Sequence, residues 1–382
     1  MALMDVALAD GMNRRPSRQA RAAQYLLLPA VAAVAWWLIS TVAGNLARHN
    51  MDFSFSFLAD PANFDIPFHL VAWHVGDSYA RALLACVLNT LLVSALGIVA
   101  STLLGLLVGI MRLSTNWLVR NIALCFVELV RNTPQLVQIA FWYVAVLQTL
   151  PSPRQSILLP AGLLLNVRGL YLPSFDFGAH VAAFGGLALL LLLATPFAWR
   201  LRSRGLPLGA KSLLMPMLAA LVFAAGVDRM EFPALRGFNI AGGVQVPPEL
   251  VALWAGLSIY SSAFIAEIVR AAILSVHRGQ REAGLSLGLK PRQVMFKVIL
   301  PQALRVMVPP MTSQYLNLIK SSSLGAAIAY PELFSIFAGT VLNQTGRELE
   351  TIMILMVIFL CISLLTSAFM NWYNGRLALV AR

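Results

Sequence analysis

Charge is scarce in this chain. Of its 382 residues only 12% are Asp, Glu, Lys or Arg, 59% are hydrophobic, and the mean hydropathy is +0.76. An ordinary globular domain carries about 25% charged residues, so this composition excludes a water-soluble fold and places the chain in a bilayer. Acids are scarcer than bases, 16 against 28, giving a net charge of +12. The bases sit in loops between apolar runs and not on one face with interleaved aromatics, so no nucleic-acid partner is expected. The three cysteines, Cys86, Cys125 and Cys361, lie in apolar runs with no partner at metal or redox spacing, and read as buried small hydrophobes. Five histidines, His49, His69, His74, His180 and His277, form no helical i, i+4 ligand pair, so no metal is expected. A Gly-Lys dipeptide is missing altogether. That excludes the Gly-x-x-x-x-Gly-Lys-Ser/Thr phosphate loop, so the chain is expected to bind no nucleotide or other cofactor and to be no enzyme by that route. Energy for any work it does must come from a partner or an ion gradient.

Apolar runs of spanning length, about 20 residues each, occur near 24–43, 82–110, 122–150, 179–199, 212–227, 249–275, 306–330 and 351–373. The expected fold is therefore an all-α integral membrane protein with about eight transmembrane helices. Residues 1–80 would hold the N-terminus, the first span and a loop. Arg14, Arg15, Arg18 and Arg21 precede the first run, which is longer than a signal peptide core and reads as an uncleaved span. With the N-terminus inside, eighteen Lys and Arg fall inside against seven outside, while Arg131, Arg270 and Lys320 lie within runs. This bias predicts a multi-pass protein with both termini cytoplasmic.

A polar, basic stretch at 281–301 interrupts the apolar pattern. Glu282 to Leu287 favours a short helix, Gly288 suits a left-handed cap, and Pro291 suits the first turn of a second helix expected to stop before Pro301. The charge count puts this helical elbow on the cytoplasmic face, in a loop spanning 276–303. Within the third run, Glu128-Leu-Val-Arg131-Asn-Thr-Pro134 predicts a split: an amphipathic piece over 121–131, then a span starting at Pro134 with Thr133 as its N-cap. Glu128–Arg131 and Glu267–Arg270 each have the three-residue spacing that lets Glu meet Arg on one helix face. These pairs either line the inner mouth of a pathway and repack on opening, or are static ties between helices. Near the end of the seventh run, Lys320, Ser322 and Ser323, with Tyr330-Pro-Glu332 beyond, could serve close helix packing or offer hydrogen bonds to a polar solute. An ammonium at depth is costly, which makes Lys320 the harder of these to read as packing.

Glu282, Ala283, Gly288, Leu300 and Pro301 fit the Glu-Ala-Ala, three positions, Gly, nine positions, Ile-x-Leu-Pro signature of ABC importer permeases; Gly284 and Val298 depart from it. Asn89-Thr-Leu-Leu, Glu128 to Gln138, Ala263 to Arg270, Gly279 to Gly284 and Lys320 to Leu324 extend the resemblance to the polar amino acid importer permeases. The length, Arg168 to Pro173 and Gly237 to Gly243 resemble the long permeases of general L-amino acid importers. The resemblance implies a bacterial inner-membrane permease subunit that imports amino acids. It implies a five-helix type I importer core at 82–110, 134–150, 249–275, 306–330 and 351–373, with a helix pair inserted at about 151–247 within a domain of 81–382. It also implies partners: an ABC ATPase subunit that carries the ATP, a second homologous permease and a periplasmic amino-acid-binding protein. Glu282, Ala283, Gly284, Leu287 and Gly288 would couple to the ATPase. An ion-coupled secondary amino acid transporter and a structural membrane protein are the rival readings, and the elbow argues against both.

Overall fold

The computed structural model describes residues 53–176, 229–237 and 239–377, together with helical positions between 27 and 44 and at 187. Met1–Leu58 and Ala59–Arg382 form two compact units. The expected spans at 179–199 and 212–227 lie outside the described residues, apart from position 187.

Among the described residues, four helices are long and apolar enough to cross a membrane. They are α1 (Tyr79–Met111), α4 (Pro248–Ser275), α6 (Pro291–Ile328) and α7 (Glu348–Leu377). Between α1 and α4 stand α2 (Trp117–Arg131) and the shorter apolar α3 (Gln135–Leu147). These five apolar helices fall on the five runs expected to form the core.

The all-α expectation is corrected between α3 and α4. Among the described residues, eight strands of three or four residues lie there: β1 (Ile157–Leu159), β2 (Leu163–Asn166), β3 (Gly169–Leu172), β4 (Ser174–Asp176), β5 (Arg229–Glu231), β6 (Ala234–Arg236), β7 (Asn239–Ala241) and β8 (Val244–Val246). The four-stranded sheet is antiparallel, in the order β1-β2-β3-β8, and β4 pairs β5 and β6 pairs β7. Pro151, Pro153, Pro160 and Pro173 break any helix over residues 151–173, and short extended pieces there satisfy their backbone groups by pairing.

The core is built on α1 and α4, which run side by side in the same direction. Along α1 the small residues Gly97, Ser101, Gly105 and Gly109 recur every four positions, bringing one face of the helix into close contact with its neighbours. A Cβ on Gly105 would stand 2.6 Å from Ile265 Cγ2, and one on Gly109 would stand 2.8 Å from the Ala266 carbonyl oxygen. Val93, Leu253, Leu257, Ile139, Leu318 and Tyr330 close the core at the end where α1 and α4 begin. Ile265, Val269, Ala303 and Met307 close it near the other end. The outward face of α1 is apolar, with Leu103, Leu107 and Ile110 exposed, as a bilayer helix requires. This corrects the cysteine reading: Cys86 is buried, whereas Cys125 and Cys361 face outward.

The split at Pro134 is present, with shifted edges. α2 starts at Trp117 because Asn116 Oδ1 accepts the Leu118 and Val119 N–H groups at 2.9 and 3.4 Å. Thr133 does not cap α3; its hydroxyl turns back to the Leu129 carbonyl at 2.8 Å, and the helix starts at Gln135.

Candidate functional site

Three features concentrate polar chemistry on this apolar scaffold. The first is the elbow. His277 Nδ1 accepts the Gly279 N–H at 3.1 Å and starts α5 (Arg278–Ser286). Its far end is a Schellman motif, with the Leu289 N–H on the Gly284 carbonyl at 3.2 Å and the Gly288 N–H on the Leu285 carbonyl at 2.9 Å. Gly288 sits at φ 77, the left-handed region that a side chain would disfavour. Pro291 then opens α6, where the Lys290 N–H donates to Gln293 Oε1 at 2.9 Å. One expectation fails here: the second arm does not stop before Pro301. A π-helical turn over Met295–Ile299 moves the Leu300 N–H onto the Met295 carbonyl, and the helix carries Pro301, Pro309 and Pro310 onward to Ser321. The elbow is therefore one short helix set against the root of a long span. Glu282 and Ala283 are exposed on it, and Leu287 is 81% exposed, an apolar knob with no cover of its own. Gly284 faces inward, its missing Cβ 3.0 Å from Val294 Cγ2, so it seats α5 on α6.

The second feature is an ion cluster near the elbow end of α1 and α4. Glu267 bonds both Arg270, three residues on, and Arg112, which caps α1 from 155 residues away. Arg270 Nε lies 3.0 Å from Glu267 Oε1. The Arg112 side chain is 14% exposed and that of Glu267 27%. The Glu128–Arg131 pair is not brought together. Arg131 stands over the Phe264 ring, 5.1 Å from its centroid, and Glu128 accepts from Asn132 Nδ2 at 3.4 Å. A guanidinium on an aromatic face gains where a solvent-facing ion pair would be worth little. The expected twin pairs are thus one three-residue cluster bridging two helices, with a single cation–π contact beside it.

The third feature lies on α6. Lys320 is exposed, and Ser313 and Asn317 fall on the same outward stripe at seven and three residues' distance. Ser322 is buried with its hydroxyl on the Ile319 carbonyl at 2.6 Å, and Ser323 donates to the Lys320 carbonyl at 2.8 Å. Those two serines satisfy their own helix, so the residues on the open polar stripe are Ser313, Asn317 and Lys320. Sequence reading missed the first two; helical spacing back from Lys320 was the signal that could have found them.

At the opposite end from the elbow, the turn after α6 packs a polar group of residues against α1. Asn89 Nδ2 donates to the Phe68 and Pro331 carbonyls, each at 2.8 Å, and the Leu333 N–H reaches Thr90 Oγ1 at 3.1 Å. Glu332, fully buried, accepts the Phe334 and Ser335 N–H groups at 2.8 and 2.6 Å. Burial pushes its carboxyl up to about 7, against the opposing pull of these two donors. The folded state therefore holds the proton to higher pH than the unfolded chain does. Stability from this group is complete below the ordinary carboxylate range and is lost as pH climbs toward 7. The melting temperature of the detergent-solubilised protein is expected to fall between pH 5 and pH 8, and Glu332→Gln to flatten that slope. An equal slope in the variant would show that Glu332 is not its source.

Residues 212–379 match the family model described as the binding-protein-dependent transport system inner membrane component. The chain is 45% identical over 378 residues to the amino-acid ABC transporter permease protein YhdX of Escherichia coli (strain K12), with 96% of each chain covered. It is 42% identical over 369 residues to the general L-amino acid transport system permease protein AapQ of Rhizobium johnstonii, covering 94% of this chain and 92% of that one. Among solved structures, a crystal structure of an amino acid ABC transporter with histidines aligns with a TM-score of 0.48 at 20% identity, covering 78% of this chain and 95% of that chain.

Proposed function

Because this chain belongs to the amino-acid ABC transporter permeases, within the inner membrane components of binding-protein-dependent transport systems, we propose a division of labour among its features. The chain is the permease subunit that carries amino acids into the cytoplasm, powered by a separate ATPase. Its spans cross the bacterial inner membrane with both termini and the elbow on the cytoplasmic side, following the excess of Lys and Arg there. The observation that carries the coupling role is the elbow itself: a rigidly capped short helix, seated through Gly284 on the root of α6, offering Glu282, Ala283 and Leu287 outward. A push on α5 is transmitted into α6 and, through Ser275, into α4.

The Arg112–Glu267–Arg270 cluster lies roughly 10 Å along α4 from the elbow, at 1.5 Å per residue. It ties α1 to α4 in this conformation and is placed to repack when the inner mouth opens. Ser313, Asn317 and Lys320 line the pathway, because a polar stripe on a spanning helix is costly against lipid and inexpensive against water or a solute. The partners in this reading are an ATPase subunit, a second homologous permease and an amino-acid-binding protein. Purification of the tagged chain from its native membrane in mild detergent is expected to bring down a phosphate-loop ATPase and a related permease. The reconstituted complex should then take up amino acids only with ATP. A chain that comes down alone and supports uptake that collapses with the ion gradient would overturn this reading.

A further inference from the structure

The sheet beside α4 builds a charged cavity that no role described so far uses. The β2–β3 hairpin carries Arg168 at its tip, where Asn166 Oδ1 accepts the Arg168 N–H at 2.8 Å. Gly169 follows at φ 115, and a Cβ there would lie 2.1 Å from the Val246 carbonyl oxygen, so only glycine lets the hairpin press against β8. From Val246 the chain passes through Pro247 and Pro248 into Glu249, in the first turn of α4. Between the hairpin tip, the start of α4, Gln148 and Phe68 lies a cavity of about 400 Å³, inside the roughly 300–1,000 Å³ range of small-molecule sites.

This cavity holds two opposite charges that do not meet. Arg168 Nη1 donates to Asn239 Oδ1 at 2.9 Å, and Glu249 Oε1 accepts from the Tyr143 hydroxyl at 3.0 Å. Among the described residues neither forms a salt bridge, with the other or with a third group. Each is fixed by a neutral partner, and both line the same cavity without an ion-pair partner, Arg168 at its exposed rim. A guanidinium and a carboxylate held apart in one cavity are complementary to a ligand that carries both charges itself. The side-chain amides of Gln148 and Gln245 share the lining.

We propose that this cavity binds the zwitterionic backbone of a free α-amino acid, Arg168 taking the α-carboxylate and Glu249 the α-ammonium. The proposal rests on the amino-acid transport reading above and deepens it: the cavity is a receiving site at the end of the bundle opposite the elbow, before the solute enters the pathway. Because it reads the backbone, it accepts different side chains.

The test uses the purified complex in detergent without its soluble binding protein, titrated with L-alanine, L-glutamine and L-glutamate, and with the N-acetyl and α-amide derivatives of L-glutamine. Saturable binding of the free amino acids is expected, weakened at least tenfold by Arg168→Gln and by Glu249→Gln, with Arg168→Lys retaining part of it. The α-amide, lacking the carboxylate, should be indifferent to Arg168→Gln, and the N-acetyl derivative, lacking the ammonium, indifferent to Glu249→Gln. Glu249→Gln keeps an acceptor for Tyr143, and co-purification of the partner subunits reports that each variant assembles. If the wild-type complex transports amino acids yet binds none of the three, or if both variants bind as the wild type does, this site is wrong and the transport reading stands. If the wild-type complex transports no amino acid, it is the transport reading that fails.

Discussion

Glu282→Arg is expected to bring ATP-driven amino-acid uptake to background while the chain stays folded in the membrane at its normal level. Glu282 is exposed on α5, and among the described residues it makes no salt bridge within the chain. Its replacement therefore removes nothing from the fold, and surface changes of that kind stay within about 0.5 kcal/mol. The loss falls on the partner instead. On the docking role proposed above, charge reversal at Glu282 sets like charges together against a basic partner surface at a cost of several kcal/mol, and each ~1.4 kcal/mol is tenfold in affinity. An effect of about 100-fold or more on ATPase association should accompany the loss of uptake, read by co-purification of the ATPase with the variant. Leu287→Asp should act in the same direction, because the knob that it replaces is uncovered in the chain alone. Unchanged uptake in Glu282→Arg would sink the coupling role assigned to the elbow.

Gly109→Leu is expected to have the largest effect on assembly of the helices. At Gly109 the space a Cβ needs is taken by the Ala266 carbonyl oxygen at 2.8 Å and Val269 Cβ at 2.8 Å, and at Gly105 by Ile265 and the Ser262 carbonyl. Backbone and branched Cβ atoms cannot rotate aside, so α1 must move off α4. Helices in a bilayer associate through such close contact, without a hydrophobic drive between them. Overpacking alone costs about 1–3 kcal/mol, and the displacement would also draw Arg112 away from Glu267. A lowered melting temperature and reduced yield of folded protein are the expected readings. Gly97→Ala is the control, because its Cβ would meet only the tip of Leu318, 3.2 Å away, which can swing aside. Equal behaviour of the two variants would show that the α1–α4 seam does not depend on these glycines.

Much of the elbow is legible in the sequence. Gly288 as a left-handed cap, Pro291 as a first helical residue and the split before Pro134 are decided by backbone chemistry within a few residues, and that chemistry is written locally. The five apolar helices were legible for the same reason, since a run of about 20 apolar residues answers directly to the thickness of the bilayer. The charge bias suggested which end faces which side, and the elbow motif suggested a partner.

What the sequence could not carry is the meeting of residues far apart along it. Glu267 finds Arg112 only because two parallel helices approach through glycines; Arg131 abandons Glu128 because Phe264 is brought under it. Helix continuity through Pro301 depends on a π-helical turn that no residue type announces, and the strands before α4 form by pairing segments up to about 80 residues apart. Arg168 and Glu249 share a cavity through that same pairing. By itself, then, the sequence determined which segments are long and apolar enough to span a bilayer and where a glycine cap or a proline turns the chain at Gly288, Pro291 and Pro134, because these depend on local dihedral preference and apolar length. The tertiary structure alone decided which charges are paired and which polar groups turn inward, because those depend on distances between helices that are set by packing.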